Sequence, residues 1–200
     1  MRALPSTLME LDSEEAAALL RAHGAGDPQA FARLYDRHDR ASFHFVRRLL
    51  GTGHAEAAED LHQEIWIAVA RNAAAFDPAK ASFTTWLFTI ARRKVWDHFR
   101  RQKVAMLTTA QDEVVMSARD PGRSPLEEVQ SRELAREIVA AVEALPLEQR
   151  GAFVMFADAG LSLAEIAEIT GVTVETAKSR LRYAREKLRQ TLGRERSAHV

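Results

Sequence analysis

The stretch from Ser162 to Leu181 constrains this chain more than any other. Ser162 stands three residues before Glu165, the spacing of a capping box that starts a helix. Gly171 falls where a chain leaving a helix needs a left-handed residue, and Thr173 is placed to cap a second helix. Two short helices joined through a tight glycine turn make a helix-turn-helix. On the second helix Val174, Ala177, Leu181, Ala184 and Leu188 share one face and are expected to pack inward. Lys178, Arg182, Arg185 and Arg189 form a basic stripe beside that face, and Thr176, Ser179 and Arg180 are expected to point outward. Short hydroxyl side chains suit phosphates and long cationic ones suit base edges in a major groove. The alternative is a surface helix with solvated charges, which leaves the agreement of glycine turn, caps and charge unexplained.

The rest of the chain is also helical in character. Nearly half of its 200 residues are hydrophobic (46%), enough for real cores, with only nine Gly and six Pro. No strand or internal repeat is expected. Cysteine is absent, which excludes disulfides and thiolate metal sites and makes a reducing cytoplasm the simplest location. Met1 to Met9 lacks the apolar run of a signal peptide, and no stretch approaches the roughly 20 apolar residues of a membrane span, so no membrane insertion is expected.

The formal charge is zero, but its distribution is uneven. Arg92 to Lys103 carries six bases against Asp97, and Thr173 to Arg196 carries eight against Glu175, Glu186 and Glu195. Between them the balance turns acidic, and Asp120-Pro121-Gly122-Arg123-Ser124-Pro125 breaks any helix. These features predict an all-α fold of two helical domains joined by a flexible linker, the C-terminal one a helix-turn-helix domain.

In the N-terminal half, helices are expected from about Ser13 to His23, after Pro28, from about Glu56, and from near Ser82 past Phe99. Phe83, Trp86, Leu87, Ile90 and Ala91 share one face of the last of these. Thr85, Thr89, Arg92, Arg93, Trp96, Arg100 and Lys103 are expected opposite. Trp96 among arginines has two readings: it stacks on an unpaired base while the cations hold phosphates, or it packs under a neighbouring helix. The third helix presents Glu56, Glu59, Asp60, Gln63 and Glu64, which suit a basic partner surface or, with a second facing carboxylate cluster, a divalent metal. No such second cluster is evident. The histidines lack ligand spacing, and no phosphate loop or nucleophile elbow appears, so neither a metal, a cofactor nor an enzyme is expected.

Taken in order, these pieces resemble the extracytoplasmic-function sigma factors of bacterial RNA polymerase, over about Asp27 to Leu192. Asp60-Leu61-His62-Gln63-Glu64-Ile65-Trp66 resembles the segment that docks on the polymerase clamp, which implies Asp60, Gln63 and Glu64 as polymerase contacts. Phe83 to Arg92, then Asp97, Arg100 and Arg101, resembles the stretch that reads and opens the upstream end of the melted promoter element. Leu145-Pro146, Gln149-Arg150, Gly160-Leu161-Ser162, Glu165-Ile166-Ala167 and Thr176 to Leu181 resemble the domain that binds the distal element.

The resemblance implies an extension (1–26), a polymerase-binding and promoter-melting domain (27–103), a linker (104–130), a helix-turn-helix domain (131–192) and a tail (193–200). Implied partners are core RNA polymerase, promoter DNA and an anti-sigma factor. Thr85, Thr89, Arg92, Arg93, Trp96, Arg100 and Arg101 would hold the melted element. Thr176, Lys178, Ser179, Arg180, Arg182 and Arg185 would hold the distal one. Three positions depart from the family pattern: Arg93 stands for Asn, Glu175 for Gly and Tyr183 for Arg. Two other architectures fit parts of the pattern. A plain helix-turn-helix repressor leaves the Trp96 stripe and the acidic face unexplained, and a sigma-like decoy would lack the basic stripes.

Overall fold

The computed structural model describes residues 6–108 and 127–198, and every regular element among them is helical. Four helices form the first domain: α1 (Ser6–Gly24), α2 (Pro28–Leu50), α3 (Ala55–Arg71) and α4 (Phe83–Thr108). Four form the second: α5 (Glu127–Glu143), α6 (Leu147–Ala157), α7 (Leu163–Thr170) and α8 (Val174–Ala198). The expected helix break at Asp120–Pro125 lies outside the described residues. Helix α4 runs on to Thr108 and α5 starts at Glu127, so helix extends into both ends of the segment expected as linker.

The boundaries follow from local chemistry. Asp27 caps α2, its carboxylate accepting from the backbone N–H of Gln29 (2.9 Å), and Pro28 supplies the preset φ of the first turn. Gly51 ends that helix at φ 94°, a backbone shape open to glycine at little cost. In the first domain Leu34, Phe45, Val46 and Leu49 of α2 meet Ile65 and Val69 of α3 and Phe83, Leu87 and Phe88 of α4, all fully buried. Each such side chain contributes about 1.5–3 kcal/mol of burial free energy.

Helix α1 belongs to this core. Ala16, Ala17 and Leu20 are buried, and Glu15 pairs with Arg37 of α2 at 2.8 Å. The Ser13 hydroxyl accepts the N–H of Phe83 at 3.2 Å, satisfying a donor at the start of α4 that would otherwise be orphaned. Residues 13–24, expected in an extension ahead of the domain, therefore help to position its longest helix.

A buried polar network joins α2 to α3. The Trp66 indole N–H donates to His62 Nε2 at 3.1 Å, and the Ser42 hydroxyl lies 3.0 Å from the same nitrogen. An indole can only donate, so Nε2 is an acceptor and the imidazole is neutral. Burial holds the His62 pKa below its ordinary 6.5, against the opposing pull of Asp39, and burial lowers His98 likewise. The unfolded chain thus takes up these protons first, so stability is full above about pH 6.5 and declines as pH falls below it. Thermal melts between pH 7.5 and 5.5 should show a falling midpoint, and His62→Gln should flatten that slope; a midpoint independent of pH contradicts the neutral, buried imidazole.

The two domains pack against each other, α4 against α7 and α2 against α6, and share one apolar cluster. Polar contacts reinforce the seam. The backbone N–H of Thr52 donates to Glu143 at 2.8 Å, and the Arg150 guanidinium donates to the carbonyl oxygens of Leu49 and Glu143.

Candidate nucleic-acid and polymerase interfaces

The helix-turn-helix forms as its local signals require. Ser162 and Glu165 make a reciprocal capping box at the start of α7, and Gly171 ends that helix in the left-handed region at φ 66°, ψ 34°. The Thr173 hydroxyl accepts the N–H of Thr176 at 3.2 Å and thereby starts α8. Ala177, Leu181, Ala184 and Leu188 are buried, so α8 is anchored along one face. Val174, expected on that face, is instead 46% exposed, and Thr173, Glu175 and Thr176 around it are exposed too.

Of the residues expected on distal duplex DNA, Thr176, Lys178, Arg182 and Arg185 are exposed and Ser179 is half-buried. The Thr176 hydroxyl is also within 2.9 Å of Thr173, and Lys178 lies 3.5 Å from Glu175, so both already have partners on the helix. Arg185 lies over the Phe156 ring at 4.7 Å from its centroid, which fixes its stem without removing it from the surface. Arg180 does not point outward. It turns to the first domain side of the helix-turn-helix and pairs with Glu148 at 2.9 Å.

The stripe on α4 divides in the same way. Thr89, Arg93, Arg100 and Arg101 are exposed. Thr85 is buried at 2% exposure, where its N–H donates to the Ser82 hydroxyl; it belongs to the capping of α4 and not to the outward stripe. Trp96 is half-buried against α6, its indole N–H donating to Glu148 at 2.8 Å. Arg92 stacks over the Trp96 ring at 4.5 Å and reaches the same carboxylate at 3.5 Å. Of the two readings of Trp96, packing under a neighbouring helix describes this structure.

On α3, Glu56, Glu59, Asp60 and Gln63 are exposed on the side away from Leu61, Ile65 and Val69. Glu64 is drawn back by Lys94 of α4 at 2.9 Å, and this hydrogen bond holds its carboxyl below the usual range. Ile67 is 49% exposed one turn beyond Gln63 and Glu64. In the sequence it is hidden within the apolar run Ile65-Trp66-Ile67-Ala68-Val69, although helical spacing puts it opposite Leu61 and Ile65. Among the described residues no group of three or more metal-ligating side chains comes together, and no helix is long and apolar enough to cross a membrane.

Comparisons with known proteins agree with this geometry. Sequence models of sigma-70 region 2 and sigma-70 region 4 match residues 34–104 and 135–188. These two regions define the class: a transcription factor of the sigma-70 type. An ECF RNA polymerase sigma factor SigM of Mycobacterium tuberculosis is 33% identical over 177 residues, 88% of this chain and 84% of that protein. An ECF RNA polymerase sigma factor SigK of Mycolicibacterium vanbaalenii is 29% identical over 192 residues, 95% of this chain and 93% of the relative. The solved structure of CnrH in complex with the cytosolic domain of CnrY is 26% identical, with a TM-score of 0.65 over 90% of this chain and 97% of CnrH. The fold is also that of RpoE from Bartonella quintana, solved with the anti-sigma factor NepR (TM-score 0.68, 23% identity, 82% of this chain and 96% of that one). The chain belongs to the extracytoplasmic-function sigma factors of bacterial RNA polymerase. It is a promoter-specific initiation factor that works bound to the polymerase.

Proposed function

We propose that the first domain docks on core polymerase through α3 and holds the melted promoter element along α4, while α8 enters the major groove of the distal element. Asp60, Gln63 and Glu64 supply the acidic rim of the docking surface, and Ile67 its apolar anchor, an arrangement typical of interfaces with a few strong contacts. On α4, Thr89, Arg92, Arg93, Trp96, Arg100 and Arg101 carry the single strand, the cations on phosphates and the indole on a base. On α8, Thr176, Lys178, Ser179, Arg180, Arg182 and Arg185 position and read the duplex. The chain itself performs no covalent chemistry and assists melting by capturing unpaired bases. It acts in the cytoplasm, where an anti-sigma factor restrains it, as the solved complex of its relative CnrH with the CnrY cytosolic domain suggests.

The observation that carries this reading is the pairing of an exposed acidic face on α3 with two separate exposed basic faces, on α4 and α8. A repressor needs the last of these alone. Run-off transcription on genomic fragments tests it directly: core polymerase with this protein should yield discrete transcripts that core alone does not. Identical transcript patterns with and without the protein would overturn the reading.

A further inference from the structure

Glu148, at the start of α6, brings together side chains from three helices and both domains. Its Oε1 accepts the Trp96 indole N–H at 2.8 Å and lies 3.5 Å from Arg92 Nη2, while its Oε2 lies 2.9 Å from Arg180 Nη1. The Arg92 and Arg180 side chains are only 20% and 24% exposed in consequence. All three partners belong to the stripes assigned above to DNA, two to the melted strand and one to the duplex. A carboxylate offers a guanidinium the same kind of charged oxygen acceptors that a phosphate would offer.

A second observation shows that this contact is built into the sequence. Gly151 lies inside α6, where glycine destabilises a helix by about 1 kcal/mol relative to alanine. A Cβ on Gly151 would stand 3.0 Å from Cη2 of the Trp96 ring, so the ring would have to give by a few tenths of an ångström, and a longer side chain would meet it more fully. The missing side chain is the recess into which the indole docks.

We propose that Glu148 and Gly151 form a latch that holds the free protein closed, with Arg92, Trp96 and Arg180 turned onto each other and away from DNA. The proposal rests on the assignment of those three residues to DNA. In the closed state the melted-strand stripe keeps Arg93, Arg100 and Arg101 exposed but loses its aromatic platform. The distal-element helix keeps Lys178 and Arg182 exposed but loses Arg180. One carboxylate cannot serve Trp96 and Arg180 once they lie on two separate promoter elements, so productive binding requires the domains to part. Glu148 Oε2 and Arg180 Nη1 are buried and meet without hydrogen-bond geometry, so their pairing is a Coulombic contact that no hydrogen bond reinforces.

The chain has no cysteine, so cysteines introduced at the exposed positions Arg71 and Lys187 can carry one spin label in each domain. Double electron–electron resonance on the full chain should give a narrow distance distribution that becomes longer and broader in Glu148→Ala and, independently, in Gly151→Leu. The second variant also guards against misfolding of the first, since leucine favours the α6 helix itself. Binding is measured in parallel with a fluorescent oligothymidylate and a random-sequence duplex. If the free chain is closed nine-tenths of the time, opening raises its affinity for both probes by up to about tenfold. Distances that match between wild type and both variants overturn the latch. Open variants with no gain on either probe overturn the masking. In that event Arg93→Ala and Lys178→Ala in the open background show whether the DNA assignment has failed too: it stands if they weaken binding to the oligothymidylate and the duplex respectively.

Discussion

Replacing Asp60 by Arg is expected to weaken core-polymerase binding by roughly 2 kcal/mol or more, about 30-fold in Kd, with helix content and thermal midpoint unchanged. Asp60 is exposed on α3, opposite the side that buries Leu61, Ile65 and Val69, and supports nothing in the fold. A reversed charge there acts on a partner surface alone, by placing like charges together in a desolvated contact. Glu64 is the poorer probe, although it stands in the same segment. Its carboxylate already pairs with Lys94, so Glu64→Arg would set two cations side by side between α3 and α4 and confound docking with stability. Ile67→Ala should weaken docking too, without changing any charge, and would thereby separate the apolar contact from the acidic rim. Titration of labelled core polymerase with each variant gives the Kd values, and wild-type affinity for both Asp60→Arg and Ile67→Ala would remove α3 as the docking surface.

The parts of this protein that were legible in the sequence are those set by neighbours along the chain. The Ser162–Glu165 capping box, the left-handed Gly171 and the Thr173 cap are all local, and each forms as its spacing predicts. The helices themselves follow from apolar periodicity, which reports burial against any neighbour without naming it. What escaped is what depends on that neighbour. Helical spacing placed Thr85 with the outward residues, but Ser82 at the start of α4 turns it into the capping structure. Arg180 was expected outward as a residue off the face of Ala177, Leu181 and Ala184, and an acid 32 positions earlier in the chain turns it inward. His62 lacked metal-ligand spacing and so read as an ordinary helix residue; its role with Ser42 and Trp66 needs α2 beside α3. Glu148 illustrates the limit most clearly. In sequence it is one acid in a helix start, well suited to the helix dipole, and only the packing of α4 and α8 beside α6 gives it three partners.

Trp96→Ala is the substitution with the largest expected effect on promoter opening. Stacking of one base on an aromatic ring contributes about 1–3 kcal/mol, so loss of the ring should lower open-complex yield roughly tenfold or more, while duplex binding through α8 is retained. The structure adds a complication, because the same ring fills the recess at Gly151 and donates to Glu148. Removing it therefore also loosens the two domains, and a defect in opening could be blamed on domain packing. Glu148→Ala separates the causes. It breaks the contact from the other side and leaves the indole available to a base, so polymerase bearing it should open promoters at least as well as wild type. Lys178→Ala supplies the opposite contrast: it should weaken capture of duplex distal DNA by roughly 1–3 kcal/mol and spare opening on a pre-melted template. Permanganate footprinting of the melted region, run beside a duplex-binding assay, reads all three variants. Should Trp96→Ala open promoters normally, or should Glu148→Ala fail alongside it, the indole is a packing residue and the melted strand is held by Arg93, Arg100 and Arg101 without it.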